Sequence, residues 1–465
     1  MSHPDYEQTL SALAALAPRG IQPGRERLAE VLRRLGSPEL RYPAVHIAGT
    51  NGKGSTSAYA AQIAQCAANQ AEARHRRPFT IGLYTSPHLH RLTERVRFSQ
   101  AGELAECPKQ LLADAVTEVQ AASQADPAQE LTFFEVLTAA AFLIFARRSV
   151  DLAIVETGLG GRLDATRLCD ARVTVVTSIG LDHMEWLGPT LSHIAAETAG
   201  IFRRDVPALC VTYEPEARAV LRTCAHKVGA PLWLHPYHDE PDAQPLPILD
   251  DQLAARLPLR GRYQRDNAAL AAYALSHVAG QVAEPLGPLL TVPDIVLQGL
   301  TQTRWPGRIE QLVPTAAPYL GFADREIVID AAHNPEGAVA LAGWLNAVPQ
   351  KPLTVLCGVV VGKLATEMAA PLQTAAVVVL CRPPTPRGLA AAELAALSPF
   401  SIGQPIDDWQ AALHAALQQT APGGRLLVYG SIFLIAAVRA ALLDEPTDEL
   451  LVQDPGKAPA SSSTK

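Results

Sequence analysis

An α/β protein built on parallel sheets is what this chain predicts, from three observations. Short apolar runs recur along it, longer helical patterns lie between them, and the first run opens into a glycine-rich loop before an alanine-rich helix. Strands buried on both faces read as continuous apolar runs, and strands alternating with helices imply parallel pairing under helices on both faces. With 465 residues, 48% hydrophobic and 18% charged, the chain is long enough for two or three cores.

Taken in order, the first strand is expected at 43–48, "PAVHIA", and the helix after its loop at 54–68. Strands follow at 80–85, 151–156, 172–178 and 207–212, and "FFEVLTAAAFLIFARR" (133–148) reads as a buried helix because it is apolar almost all round. A first domain is therefore expected over residues 1–295. A smaller α/β domain, 296–444, is expected after "PLGPLLTVPD", with strands at 325–330, 352–359, 376–381 and 425–430 and helices at 336–347 and 408–419. The stretch 445–465, polar and rich in Pro and Ser, is expected to be a disordered tail.

Composition narrows the function. A net charge of −7 gives no broad electrostatic footprint for nucleic acid, so small-molecule partners are expected. The seven cysteines are scattered without a CxxC pair, which points to neither a zinc knuckle nor a disulfide framework. No run reaches the roughly 20 apolar residues of a membrane span, and the first residues lack a basic start and apolar core. A monomer in a reducing cytoplasm, with no membrane partner, is the expectation.

The loop "GTNGKGST", Gly49-Thr50-Asn51-Gly52-Lys53-Gly54-Ser55-Thr56, has the Gly, Lys and Ser/Thr of a P-loop with shorter spacing between its glycines. Between a strand and a helix, its backbone N–H groups and the helix N-terminus would converge on an anion, with Lys53 as a point charge. A tight turn is the bland alternative. The Asn-Lys-x-Asp motif that reads a guanine base is absent, which favours ATP.

Other candidates fall at strand ends, where open α/β sheets bind ligands. Glu156 ends one such run and could hold Mg²⁺, a cation that prefers hard oxygen ligands, or could simply face solvent. Asp182 and His183 reach the same rim, and Ser86, just past another strand and before Pro87, is a possible Mg²⁺ ligand. Arg162 and Asp164, in the loop after Glu156, could meet a substrate or pair with each other. In the second half, Asp330 ends a strand, Pro335 could begin a helix, Arg308 lies near the domain junction, and Gln264 and Asn267 stand at a helix start. Asn267 as a helix cap and Arg308 as a surface charge are the plainer readings.

The order GTNGKGS, TSPHL, FFEVLTA, ETGLGGRLDAT, GLDH, AGIFR, GRYQRDNAA, WPGRIE, DAAHNPEG and YGS resembles the dihydrofolate synthase/folylpolyglutamate synthase family, a branch of the Mur ligases, from about residue 6 to 440. The resemblance implies a P-loop-containing parallel-sheet ATPase domain followed by a smaller Rossmann-like α/β domain, with the active site between them. It implies Mg²⁺ ligands at Ser86, Glu156 and His183, and ATP contacts at residues 49–56, Asn267, Arg308 and Asp330. It places a pterin-side pocket at Thr132, Phe133, Phe134, Glu135, Leu163, Asp164 and Ala165, which favours dihydropteroate. The implied reaction is ATP-dependent amide formation with L-glutamate, on dihydropteroate and on folate γ-glutamyl tails, through an acyl phosphate, with Lys53, Glu156 and His183 as the catalytic set.

Departures from the family pattern are also legible. Thr198 stands where the family has a lysine that carries a carbamate, Leu364 follows Lys363 where the family has Asp, and Arg167 replaces Asn in "LDATR". Glu197 is a neighbouring carboxylate but lies about 100° round a helix from position 198. These departures leave open a ligase of altered substrate, or a paralogue that binds nucleotide or folate without ligating.

Overall fold

The structure, a computed structural model, describes residues 5–448 except 21, 23, 76, 77, 127–129, 237, 239–241, 248 and 398. The first unit carries β1 (Ala44–Ala48), β2 (Ile81–Tyr84), β3 (Val96–Gln100), β4 (Glu103–Glu106), β5 (Leu152–Glu156), β6 (Ala171–Val176), β7 (Ala208–Val211), β8 (Leu232–His235) and β9 (Gln244–Pro245). They form one nine-stranded sheet in the order β4-β3-β2-β5-β1-β6-β7-β8-β9. The central strands are buried along their whole length, which is why they read as unbroken apolar runs.

Alternate residues of those strands feed two different cores. Leu152 and Ile154 of β5 pack beneath the long helix Lys53–His75 and the helix Gln264–Val278, while Ala153 and Val155 face Phe142, Phe145 and Leu137 of the helix Phe133–Arg147. This period of two places both helix layers, and it aims the C-terminal ends of β1, β2, β5 and β6 at one rim.

The sheet is not wholly parallel, contrary to expectation. Between β2 and β3 the chain makes only the short 3-10 turn Leu92–Arg95 and no α-helix; β3 runs antiparallel to β2, and β4 antiparallel to β3. Ala101 and Gly102, both at positive φ, close the hairpin, and the alternation of buried Val96 and Phe98 with half-buried Arg97 and Ser99 is the local signal for it.

The second unit is a six-stranded sheet in the order β10-β11-β15-β12-β13-β14. Its strands are β10 (Glu310–Leu312), β11 (Glu326–Ile329), β12 (Leu353–Cys357), β13 (Val377–Leu380), β14 (Gln404–Pro405) and β15 (Arg425–Tyr429), parallel except for the β10–β11 pair. The helix Pro293–Gln302 packs on the helix Lys53–His75, with Ile295 and Leu300 in the first unit's core. We therefore place the division after Gln302 rather than at 295.

The expected tail is corrected in part. Residues 449–465 lie outside the described residues, but 445–448 dock onto the first unit. Glu445 pairs with His90 at 3.0 Å, while Asp448 accepts hydrogen bonds from the Tyr6 hydroxyl at 2.6 Å and the Leu92 N–H at 2.8 Å. A polar composition predicted disorder; fixed polar partners on the other unit override it.

Candidate active site

The glycine-rich loop leaves β1 and wraps tightly against the end of β6. Thr50 N–H donates to the Ser178 carbonyl at 2.8 Å, and Asn51 N–H to Ser178 Oγ at 3.1 Å. Gly52 sits at φ +87°, and a Cβ there would run into Asn267 Oδ1, so glycine is required both for the turn and for the approach of the second helix. Asn267 does not cap that helix. It lies in its first turn, accepts from Thr56 Oγ1 at 3.3 Å and donates to Gln264 Oε1 at 3.0 Å, tying the helix Gln264–Val278 to the loop. The Lys53 ammonium folds over its own loop, donating to the Gly49 carbonyl at 2.9 Å and the Thr50 carbonyl at 3.2 Å. Burial pulls its pKa down, and the nearby Glu156 and Asp182 carboxylates oppose that.

Glu156, at the end of β5, is 4% exposed, and among the described residues its carboxylate accepts one hydrogen bond, a long one of 3.3 Å from Ser86 N–H. Burial pushes its carboxyl up to about 7, against the pull of Lys53, Arg308 and Arg95. Among the described residues no cation pairs with it. A buried carboxylate in that state fits a divalent cation. The other two expected ligands suit the same ion. Ser86 lines the same cleft, and burial pushes the His183 ring down to about 3, so the imidazole is neutral with a lone pair to offer. Few protein donors are on offer, a pattern that suits Mg²⁺, which keeps waters and phosphate oxygens as ligands.

The second unit closes the cleft through Asp182. Burial alone would raise this carboxyl, but His333, Lys363 and His183 hold it well below the usual carboxylate range. His333 Nε2 lies 3.2 Å away, Asn334 Nδ2 donates to it at 3.1 Å, and the Lys363 ammonium pairs with it. Asn334 also caps the helix Pro335–Ala347 through Gly337 N–H at 2.9 Å and exchanges hydrogen bonds with Asn51 of the loop. Asp330 is fully engaged with backbone: Oδ2 accepts Ile309 N–H and Oδ1 accepts Ala332 N–H, both at 2.8 Å. Ile309 is at φ +45°, so Asp330 holds a strained turn that presents Arg308 to the cleft.

The expected pterin-side residues also reach the cleft, but several carry structural duties. Thr132 and Glu135 form a reciprocal capping box on the helix Phe133–Arg147, and Arg27 donates to Glu135 at 3.0 Å. Phe133 and Phe134 make an aromatic wall, with the Phe134 ring against Gly158. Leu163 is 36% exposed into the opening, and Ala165 is buried. Asp164 does not pair with Arg162. Its carboxylate gathers the N–H groups of Gly158, Leu159 and Thr166, each at 2.9 Å, and the Thr166 hydroxyl. Arg162 instead forks onto Glu197, its NH2 group 2.9 Å from Oε1. Glu197 is thereby occupied, while Thr198 lies buried on the cleft wall. Arg167 donates to the Gly200 and Phe202 carbonyls at 2.7 and 3.0 Å, a brace for the turn after Thr198.

Most of these groups line one cleft of about 520 Å³ between the units, a volume suited to an organic ligand, whereas Thr56, Arg162, Arg167 and Asn334 are not part of its lining. Sequence reading did not anticipate Arg95, Glu336 or the wall at Leu16, Ala17 and Gly20. Arg95 lies eight positions beyond Pro87, and nothing in its spacing marked it; only the fold of the β3 hairpin turns it inward.

Comparison with known proteins agrees with this architecture. Residues 318–432 match the family described as Mur ligase, glutamate ligase domain. The folylpolyglutamate synthase of Lacticaseibacillus casei is 32% identical, over 94% of this chain and 99% of its own length. The dihydrofolate synthase/folylpolyglutamate synthase of Escherichia coli is 32% identical, over 92% of this chain and 93% of its own. The solved structure of Escherichia coli FolC in complex with DHPP and ADP superposes with a TM-score of 0.74 at 30% identity, over 94% of this chain and 97% of that one. Sequence, fold and cleft together place this chain in the dihydrofolate synthase/folylpolyglutamate synthase family of Mur ligases.

Proposed function

We propose that the protein is an ATP-dependent ligase that joins L-glutamate to dihydropteroate and to the γ-glutamyl tails of folates. The observation that carries this reading is a single cleft holding a phosphate cradle, a buried unpaired carboxylate and an aromatic wall. A carboxylate is a poor electrophile, so its oxygen bonds to the γ-phosphorus of ATP, the bond to the bridging oxygen breaks, and ADP leaves. The glutamate amine then attacks the acyl carbon, inorganic phosphate departs, and the nitrogen sheds a proton to leave an amide.

In this reading the N–H groups of residues 50–55 and the Lys53 ammonium hold the phosphates, and Asn267 fixes the loop in shape. Arg308, steadied by Asp330, adds positive charge opposite Lys53. Ser86, Glu156 and His183 would hold Mg²⁺, which would supply charge neutralisation for the phosphates. Phe133, Phe134, Leu163 and Ala165 form the apolar side that receives the pterin-bearing acceptor. The Asp182 contacts with His333, Asn334 and Lys363 keep the second unit over the site, which limits water near the acyl phosphate. Of the readings open at the sequence level, the ligase is the one its relatives support, and Thr198 leaves the three named residues as the metal set.

Incubation with Mg-ATP, dihydropteroate and L-glutamate should yield ADP and dihydrofolate in equal amounts by mass spectrometry, and Lys53→Ala should lower the rate by at least about a hundredfold. Nucleotide binding without amide formation would overturn the ligase reading.

A further inference from the structure

Arg95 is a buried cation that the reading above does not use. It ends the turn Leu92–Arg95 before β3, is 3% exposed, and lines the cleft. Burying a guanidinium without a counter-charge is expensive, so such a group implies a partner. The protein supplies little. Arg95 Nε donates to His88 Nδ1 at 2.9 Å, and no carboxylate pairs with it among the described residues. The adjacent Glu94 is spent on the N–H groups of Leu89, His90 and Arg91, at 2.9 to 3.0 Å. The two terminal nitrogens, with four N–H groups between them, donate to no described residue.

The surroundings indicate what those N–H groups await. The guanidinium carbon lies 5.4 Å from the centroid of the Phe133 ring, and the Phe134 ring continues the wall beside Tyr84 at 6.3 Å. The phosphate cradle is a separate feature, built on Lys53 and the N–H groups of its loop. A flat cation edge beside an aromatic wall matches an arene that carries a carboxylate, the ring against phenylalanine and the two oxygens on the guanidinium fork. We propose that Arg95 binds the carboxylate of the aryl acceptor and presents it to the nucleotide. The assignment deepens the ligase reading and rests on it. His88 positions the group: with its Nδ1 accepting from Nε, the fork's other edge is left for the ligand.

The test compares two ligands on the full-length protein by calorimetry in the presence of Mg-ADP. One is 7,8-dihydropteroate; the other is the same pterin bearing an aniline ring without the carboxylate. Wild type should prefer the carboxylate ligand by about tenfold or more. Arg95→Gln should abolish that preference while changing affinity for the decarboxylated ligand less than about twofold and leaving the KM for ATP within about twofold. Equal weakening toward both ligands, or an unchanged preference, would show that Arg95 only supports the fold and would overturn the proposal. Should Arg95→Gln fail to fold, Arg95→Lys keeps the charge and loses the fork; its preference should fall severalfold, and an unchanged preference overturns the assignment. Wild type binding neither ligand would instead refute the acceptor reading of the cleft.

Discussion

His46, in the middle of β1, has no exposure to solvent, and its Nε2 lies 2.9 Å from Thr166 Oγ1 while Nδ1 has no partner among the described residues. Burial, with Arg203 and Arg167 nearby, pushes its pKa well below the ordinary value. Unfolding releases the ring to an ordinary pKa near 6.5, so below that pH the unfolded chain binds a proton that the folded chain refuses. The His46 share of stability should therefore be complete above about pH 7 and fall as pH drops through 6.5, by up to about 1.4 kcal/mol per pH unit. Urea midpoints measured from pH 7.5 to 5 should show this slope, and His46→Gln should make it shallower, with buried His88 and His183 keeping their own shares. A variant as pH-sensitive as wild type would assign the slope to other groups. Residue identity alone located Glu156, His183 and Lys53 at the rim, because each follows a strand that the apolar runs already marked. It could not tell that Arg162 answers Glu197 instead of Asp164, a choice made by the helix Leu191–Thr198 arriving alongside the loop.

Among the elements, the loop 158–166 is organised by one side chain. Asp164 terminates four donors, and removing it leaves buried N–H groups without acceptors. Asp164→Ala should cost roughly 3 kcal/mol of unfolding free energy in denaturant titrations. It should also weaken acceptor binding while ATP binding persists, since the cradle is built by a different loop; simultaneous loss of both would mean the two loops fold as one. The parallel strands were legible because burial on both faces leaves most of their residues apolar. β3 and β4 were not, since strands at and next to a sheet edge carry mixed residues, and a Pro and a Gly beside them read equally well as loop. The short β8, β9 and β14 are likewise edge or near-edge pieces, too brief to rise above their surroundings. The capping box at Thr132 and Glu135 shows a third kind of shortfall, in which a motif implied for a ligand also serves the start of a helix.

Across the whole molecule, several contacts join the units, among them two clusters of polar groups. One is Asp182 with its three partners in the cleft. The other is the clasp at residues 445–448, where Arg91 also donates to the Pro446 carbonyl at 3.3 Å. Asp448→Ala should lower stability by about 1–3 kcal/mol and speed hydrogen exchange at the Leu92 amide, which loses its acceptor. Unchanged exchange there would mean the clasp carries no energy. The clasp also sets a schedule. Tyr6 and Asp448 are 442 positions apart, so at ribosomal speeds the first helix waits on the order of tens of seconds for its acceptor to be made. Until then the segment 88–92, which leads to the proposed metal ligand Ser86 in one direction and to Arg95 in the other, is open at its outer edge. A nascent chain can thus acquire its phosphate cradle early and its finished acceptor side only when synthesis has passed residue 448, which makes late truncation a lesion of one half of the site.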